Sequence, residues 1–199
     1  MKKNLITAML MTAATTILLG IIYPLIVTGL AQLIFPRQAN GQLIQKDGKT
    51  IGSSIIAQGF SSPGYFHPRP SMAGSGYDPT STNGSQLGPT NRKLIDRVKG
   101  DVANARAENP GTTVPIDLVT GSGSGLDPHI TPASAEFQLP RVAKERGTTV
   151  DQLRALVQKH AEGRQLGFLG EARVNVLELN LDLDEQLPLH KPAKVVSAR

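Results

Sequence analysis

The 199-residue chain has no cysteine. That absence excludes a disulfide framework, a thiolate metal site and a cysteine nucleophile together. Aromatics are scarce, with three tyrosines and five phenylalanines. A strong basic excess is also missing. The formal charge is +5, Lys2 and Lys3 supply two of it, and residues 37–199 keep only +3. So mild a balance does not point to nucleic acid, and the Arg- and Lys-rich segment 91–107 has no interleaved aromatics. His67, His129, His160 and His190 lie far apart and form no metal-ligand spacing. No internal repeat occurs at a solenoid period. Most telling is the absence of any charge between Lys3 and Arg37.

What fills that uncharged stretch is Leu, Ile, Val, Met, Ala and Thr, from Leu5 to Phe35. A transmembrane helix needs about 20 mostly apolar residues. Lys2 and Lys3 also resemble the basic start of a signal peptide, and Gly29-x-Ala31 has small-x-small spacing, but a signal's apolar core is only about 7–15 residues long. Residues 1–36 are therefore expected to be a membrane anchor and residues 37–199 one domain. Lys2, Lys3 and the terminal amine favour a cytoplasmic N-terminus, against Arg37, Lys46 and Lys49 on the other flank. The fold class expected is a single N-terminal transmembrane helix followed by one α+β extracytoplasmic domain.

Inside the span, Ala8, Thr12, Thr16 and Gly20 recur every fourth residue. Successive members drift about 40° around the helix, which makes one strip of small side chains. Such strips let membrane helices approach closely, so these four are candidates for helix packing. Pro24 cannot donate to the carbonyl of Gly20, and a kink is expected there. Both features point to a partner in the membrane.

Beyond the span, Gly41–Ile44 and Lys46-Asp47-Gly48-Lys49 read as a strand and hairpin turn, with a second strand from Ile51 to Phe60. Residues 61–90 are rich in Gly, Ser and Pro, yet Phe60, Tyr65, Phe66 and Tyr77 are four of the eight aromatics in the chain. Disordered linkers seldom gather aromatics, so an ordered irregular loop is expected, and loops of that kind carry binding surfaces. Tyr65, Phe66, His67 and Arg69 are its candidate docking residues; the same residues also suit a loop pinned to a small core. Asn91–Ala107 has helical periodicity in Leu94, Ile95, Val98 and Val102. Val114–Thr120 reads as β-rich, and Gly121–Gly125 as a turn. Thr131 caps a helix with Pro132 at its first position, which Pro140 is expected to kink or divide. Thr149-x-x-Gln152 is a capping box, opening a helix that buries Leu153, Leu156 and Val157. Leu177, Leu179, Leu181 and Leu183 alternate with polar residues, the pattern of a strand. The tail from Pro188 is basic and expected to fray.

No catalytic motif survives inspection. Gly121-Ser-Gly-Ser-Gly125 lacks the Gly-Lys-Ser/Thr ending of a phosphate-binding loop and the central serine of a nucleophile elbow. Asp127 and His129, with Ser122 or Ser124, are the makings of a hydrolase, though His129 also suits a hydrogen bond within its own loop. An anchored single domain without a visible active site fits an accessory subunit better than an enzyme, with no catalytic or metal-binding residue expected. An anchored hydrolase or sugar-binding module is the alternative.

Three stretches resemble the C subunit of the bacterial Kdp-type potassium-transporting ATPase. They are Gly59-Phe60 through Tyr65-Phe66-His67-Pro68-Arg69-Pro70-Ser71 to Tyr77; the run Asp117–Thr131 followed by Pro140-Arg141-Val142-Ala143; and Gly167-Phe168-Leu169-Gly170 with Val174–Leu177 and Leu179-Asn180-Leu181. Gly121, Asp78 and Gln86 depart from the family's usual residues. The resemblance implies an accessory subunit with one span and an extracytoplasmic domain in the bacterial inner membrane. Its implied partners are a channel-like potassium-conducting subunit, an ATP-hydrolysing P-type pump subunit and a small single-span subunit, in membrane lipid. It also implies a role in assembly and in raising the pump subunit's ATP affinity. This chain has no phosphate-binding loop, so ATP would be met only through the partner, and no nucleotide ligand is assigned to a residue here.

Overall fold

The structure is a computed structural model that describes residues 1–189. The expected basic tail, with His190, lies outside the described residues after Leu189. Contacts divide the chain into two units, Met1–Ser53 and Ser54 onward.

In the first unit, α1 (Lys2–Ile17), a π-helical segment (Leu18–Ile22) and α2 (Tyr23–Ile34) run together as one apolar helix of 33 residues. At 1.5 Å per residue it is about 50 Å long, more than the roughly 30 Å hydrocarbon core of a bilayer. None of its residues is buried. Just ahead of Pro24 the helix widens. The Tyr23 N–H reaches back five residues to the Leu18 carbonyl, which puts a π turn where Pro24 removes an α-helical donor. The short α3 (Pro36–Ala39) follows, and the Gln32 and Asn40 carboxamides exchange hydrogen bonds at 3.0 and 3.2 Å around it.

The hairpin forms as the sequence predicts. β1 (Leu43–Lys46) pairs antiparallel with β2 (Lys49–Ser53), and both turn residues are left-handed, Asp47 at φ +52° and Gly48 at φ +74°. That turn matches the right-handed twist of the strands. β2 does not continue to Phe60, however. The Ser53 hydroxyl donates to the Gly41 carbonyl at 2.6 Å, and the chain turns at Ser54–Ile56.

The second unit builds a three-stranded antiparallel sheet in the order β3 (His129–Ile130), β5 (Arg173–Asn175), β4 (Ala161–Glu162). Three helices supply most of the core: α5 (Pro132–Arg146), α6 (Val150–Lys159) and α7 (Val176–Gln186). Leu139, Val142, Leu153, Val174, Leu179 and Leu183 are fully buried in one cluster with Phe66. α4 (Arg92–Glu108), capped by Asn91, turns Leu94, Ile95, Val98 and Val102 to a half-buried face.

Local chemistry sets these helices. Thr131 accepts from the Ser134 N–H at 3.1 Å, Pro132 occupies the first turn, and Gly147 ends α5 at φ +64°. Pro140 does not divide α5, because it lies on the solvent face, where water can take the carbonyl it frees. Both halves of the Thr149–Gln152 capping box form, and Leu153, Leu156 and Val157 are buried.

Two elements differ from the sequence reading. Val176–Gln186 is a helix and not a strand, with Asn175 as its cap. Its buried residues, Val176, Leu177, Leu179, Asn180 and Leu183, span an arc of about 160° at 100° per residue. So wide an apolar arc is crossed by alternate leucines, and period two mimics a strand. Val114–Thr120 is not β either. Ile116–Leu118 makes a 3₁₀ turn that sends Asp117 inward, where its carboxylate accepts from the Thr131 N–H at 2.7 Å and from the hydroxyls of Thr131 and Ser134.

α6 and α7 are joined through Asp182, which accepts from Lys159 Nζ at 2.8 Å, His160 Nε2 at 2.7 Å and Gln186 Nε2 at 2.6 Å. The Lys159 ammonium leads in holding its carboxyl down to about 2, against the opposing effect of burial and with help from His160 and Gln186. A carboxyl depressed in the folded state contributes stability above its unfolded value of 3.8, and that contribution is lost as pH falls toward 2. In urea titrations of the detergent-solubilised protein, Asp182→Asn should therefore lower the midpoint at pH 6 and make the decline between about pH 4 and pH 2 shallower than the wild type's. Parallel wild-type and variant curves would show that the carboxylate does not hold the two helices.

Candidate functional site

The loop between β2 and α4 has no regular element from residue 57 to 90, yet Phe66 and Ala73 are fully buried. Backbone groups in such a place must find partners, and here side chains provide them. Five consecutive carbonyls are each taken by a side-chain donor. Arg141 bonds those of Pro63 and Tyr65, and Arg146 Nε that of Gly64 at 2.6 Å. Asn180 Nδ2 bonds that of Phe66 at 2.9 Å, and Gln138 Nε2 that of His67 at 3.1 Å. The same two carboxamides accept in return, Asn180 Oδ1 from the Phe66 N–H at 2.9 Å and Gln138 Oε1 from the His67 N–H at 2.8 Å. A Cβ at Gly64 would fall 2.5 Å from Leu189 Cδ2, so a side chain there would have to displace the end of Leu189.

Arg146 anchors the far side. Its side chain is fully buried, and it bonds the carbonyls of Leu183 (3.3 Å) and Leu187 (2.6 Å) as well as Asp184 Oδ1 (2.8 Å). Its guanidinium lies 4.8 Å from the Tyr65 ring centre, and the Tyr65 hydroxyl donates to Asp184 Oδ2 at 2.9 Å. Burial, then the bond to Asp184, raises the Tyr65 pKa. Burial, then the Arg141 charge, lowers that of His67, which favours a neutral ring whose Nε2 lies 3.1 Å from the Ser62 carbonyl.

Arg69 fixes a second loop. It bonds the carbonyls of Thr120 and Gly121, both at 3.3 Å, and Asp127 Oδ2 at 3.1 Å. Asp127 Oδ1 accepts from the His129 N–H at 3.0 Å. Burial acts to raise the Asp127 pKa, but the His129 hydrogen bonds and the Arg69 charge outweigh it and bring it below the ordinary carboxylate value. This is a braced turn and not a catalytic pair. Ser124 Oγ accepts from the Leu126 N–H, and no hydrogen bond links His129 to Ser122 or Ser124 among the described residues. The glycines serve close packing: a Cβ on Gly125 would stand 2.6 Å from the Asn83 carbonyl oxygen. At the start of α5, the Thr131 N–H donates to the chain's own Asp117.

The four loop candidates thus divide. Phe66 is wholly in the core, and its side chain reaches no surface. Tyr65, His67 and Arg69 are half-buried and bonded to this chain. The other four candidates sit in the first unit, where Ala8, Thr12, Thr16 and Gly20 are all exposed, and a Cβ on Gly20 would lie 3.8 Å from Thr16 Cγ2. Gln138, Asn180 and Arg146, which the sequence reading passed over, hold the loop. No local signal marked them: the alternation that reads as a strand puts Asn180 on its polar side, and only the helix turns it inward.

A mixed helix-and-sheet unit on a chain that also carries one exposed apolar helix of 33 residues fits the class of membrane-associated proteins. The family model described as the K+-transporting ATPase, c chain, matches residues 5–185. The chain is 61% identical over 192 residues to the potassium-transporting ATPase KdpC subunit of Koribacter versatilis, covering 96% of this chain and 100% of the relative. It is 54% identical over 191 residues to that of Rhodospirillum rubrum (95% and 99%) and 51% identical over 187 residues to that of Mycobacterium tuberculosis (92% and 99%). The chain belongs to the family of K+-transporting ATPase c chains. It is accordingly an accessory subunit and not the catalytic one.

Asn180→Leu keeps the branched shape of the side chain, adds bulk to a fully buried site, and leaves the Phe66 N–H and carbonyl buried without partners, at a cost of about 1–3 kcal/mol each. Denaturant unfolding of the solubilised protein should show a loss in that range or above. A loss under about 0.5 kcal/mol would mean that the clamp is not what holds the loop.

Proposed function

We propose that this subunit stabilises an ATP-driven potassium uptake complex by binding at two levels. The span packs on neighbouring membrane helices through Ala8, Thr12, Thr16 and Gly20, and the second unit covers a channel-like, potassium-conducting subunit on the outer face. The further partners are an ATP-hydrolysing P-type subunit and a small single-span subunit. The N-terminus is cytoplasmic, the rest of the chain beyond the span lies outside, and the membrane is the bacterial inner membrane. The observation that carries this reading is the apolar helix Lys2–Ile34, which buries nothing of its own. A π turn at membrane depth is best tolerated beside protein, where the loosened backbone groups find partners.

With the second unit outside, cytoplasmic ATP is out of its reach. Any rise in the pump subunit's ATP affinity is then a coupling free energy carried through the spans. In the complex, Tyr65, His67 and Arg69 hold the shape of the covering surface, and the residues around them make the contact.

Changing Ala8, Thr12, Thr16 and Gly20 together to Leu should release this subunit from the detergent-solubilised complex, read by co-purification with the ATP-hydrolysing subunit. Complete retention would show that the strip faces lipid. Protease added to cells with a permeabilised outer layer should digest the second unit while the inner membrane is intact. Full protection would place that unit in the cytoplasm and make direct contact with ATP the better account.

A further inference from the structure

β4 and β5 are joined by a hairpin whose residues 161–171 are all exposed. Its tip is apolar: Leu166 is 83% exposed, Phe168 69% and Leu169 47%. The other large apolar side chains exposed among the described residues of the second unit, Ile55 and Ile116, stand singly in sequence. The tip is nevertheless built to hold one shape. Gln165 and Leu169 exchange both backbone hydrogen bonds at 2.9 Å, the Phe168 N–H donates to the Gln165 carbonyl at 3.2 Å, and Arg164 Nη2 lies 2.7 Å from both Glu171 carboxylate oxygens. Leu166 is left-handed at φ +53°, a strained state for a leucine that no burial at the tip explains.

We infer that this tip is a preformed anchor, seating Leu166, Phe168 and Leu169 in an uncharged apolar pocket on another subunit of the same potassium-transporting ATPase. The inference rests on the accessory-subunit reading and names the surface that makes its contact. Charge selects the occupant. The cations beside the tip are spent within the chain, Arg164 on Glu171 and Arg173 on Glu162 at 2.7 Å. A membrane surface is bound by an apolar insertion joined to free basic residues facing anionic headgroups, and this tip has no such collar. Size rules out a freestanding interface with any partner, a second copy of this chain included. Three side chains cover only a few hundred Å², well short of the roughly 800 Å² per partner that a stable interface needs. A tip this small works where something else already holds the partners together, and the span supplies that. Its rigidity keeps the ordering cost of docking low.

The test places a photo-crosslinking phenylalanine analogue at Phe168 in the full chain, expressed with the other ATPase subunits and irradiated in native membranes. The expected product is an adduct with another subunit of the ATPase. An adduct with lipid, an adduct with a second copy of this chain, or no adduct overturns the inference. Alongside it, Leu166→Ser, Phe168→Ser and Leu169→Ser are combined. Because all three side chains are exposed, the circular dichroism spectrum should be unchanged, while retention in the solubilised complex falls at least tenfold; unchanged retention again overturns the inference. If the chain still co-purifies with the ATPase without a subunit adduct at position 168, the anchor alone fails. If the unaltered chain does not co-purify with it, the accessory-subunit reading fails as well.

Discussion

The second unit depends on one constraint: an irregular loop buries its backbone and must still satisfy it. A strand would meet that demand with a neighbouring strand. Here two carboxamides take the strand's place, Asn180 from α7 and Gln138 from α5, each giving one donor and one acceptor to a single residue. Because each amide bonds at both ends, its orientation is determined. Gln138 Oε1 accepts from Arg141 as well, at 2.6 Å, so the clamp and the arginine brace form one network. Networks of this kind stabilise only when every member is satisfied. That condition explains why a buried arginine is tolerated in so small a core. Arg146 is enclosed, but all three of its nitrogens have partners.

This economy bears on function. The groups in the second unit that most resemble a catalytic set are committed to the fold. Asp127, His129 and Asp117 all have the chemistry of a site, yet each is engaged in bracing a loop or capping a helix. The largest exposed apolar surfaces among the described residues lie in two places. The long helix and the hairpin tip offer side chains that nothing in their own unit covers. A subunit whose work is contact, and not chemistry, distributes its surfaces in this way.

The features written locally in the sequence were legible there. The long apolar helix follows from the absence of charge, the Asp47-Gly48 turn from two residues that tolerate left-handed backbone, and the α5 and α6 starts from Thr131-Pro132 and Thr149-x-x-Gln152. The aromatics of residues 60–77 correctly marked an ordered loop. The misreadings came where tertiary burial overrode local pattern. α7 meets the core over so wide an arc that its leucines alternate, and Asn180 looked like part of a wet face when it holds Phe66 from within. β-branched Val114 and Ile116 suggested a strand, but Pro115 cannot donate to a ladder, and Asp117 is drawn inward by Thr131 and Ser134. Arg146 resembled any basic residue in a helix's last turn. Only the fold reveals that Tyr65, Gly64 and the end of α7 converge on it.

The loop's partners have one more consequence, which concerns time. Phe66 is separated from Asn180 by 114 residues, and Tyr65 from Asp184 by 119. A ribosome adding about 5–20 residues per second makes the loop roughly 6–24 seconds before the side chains that close it. Throughout that interval the aromatic segment has no clamp, and the core cannot shut until the last helix has been made. A chain cut short before α7 therefore lacks the side chains that close the loop, and the order of synthesis makes the loop the last part of the core to be secured.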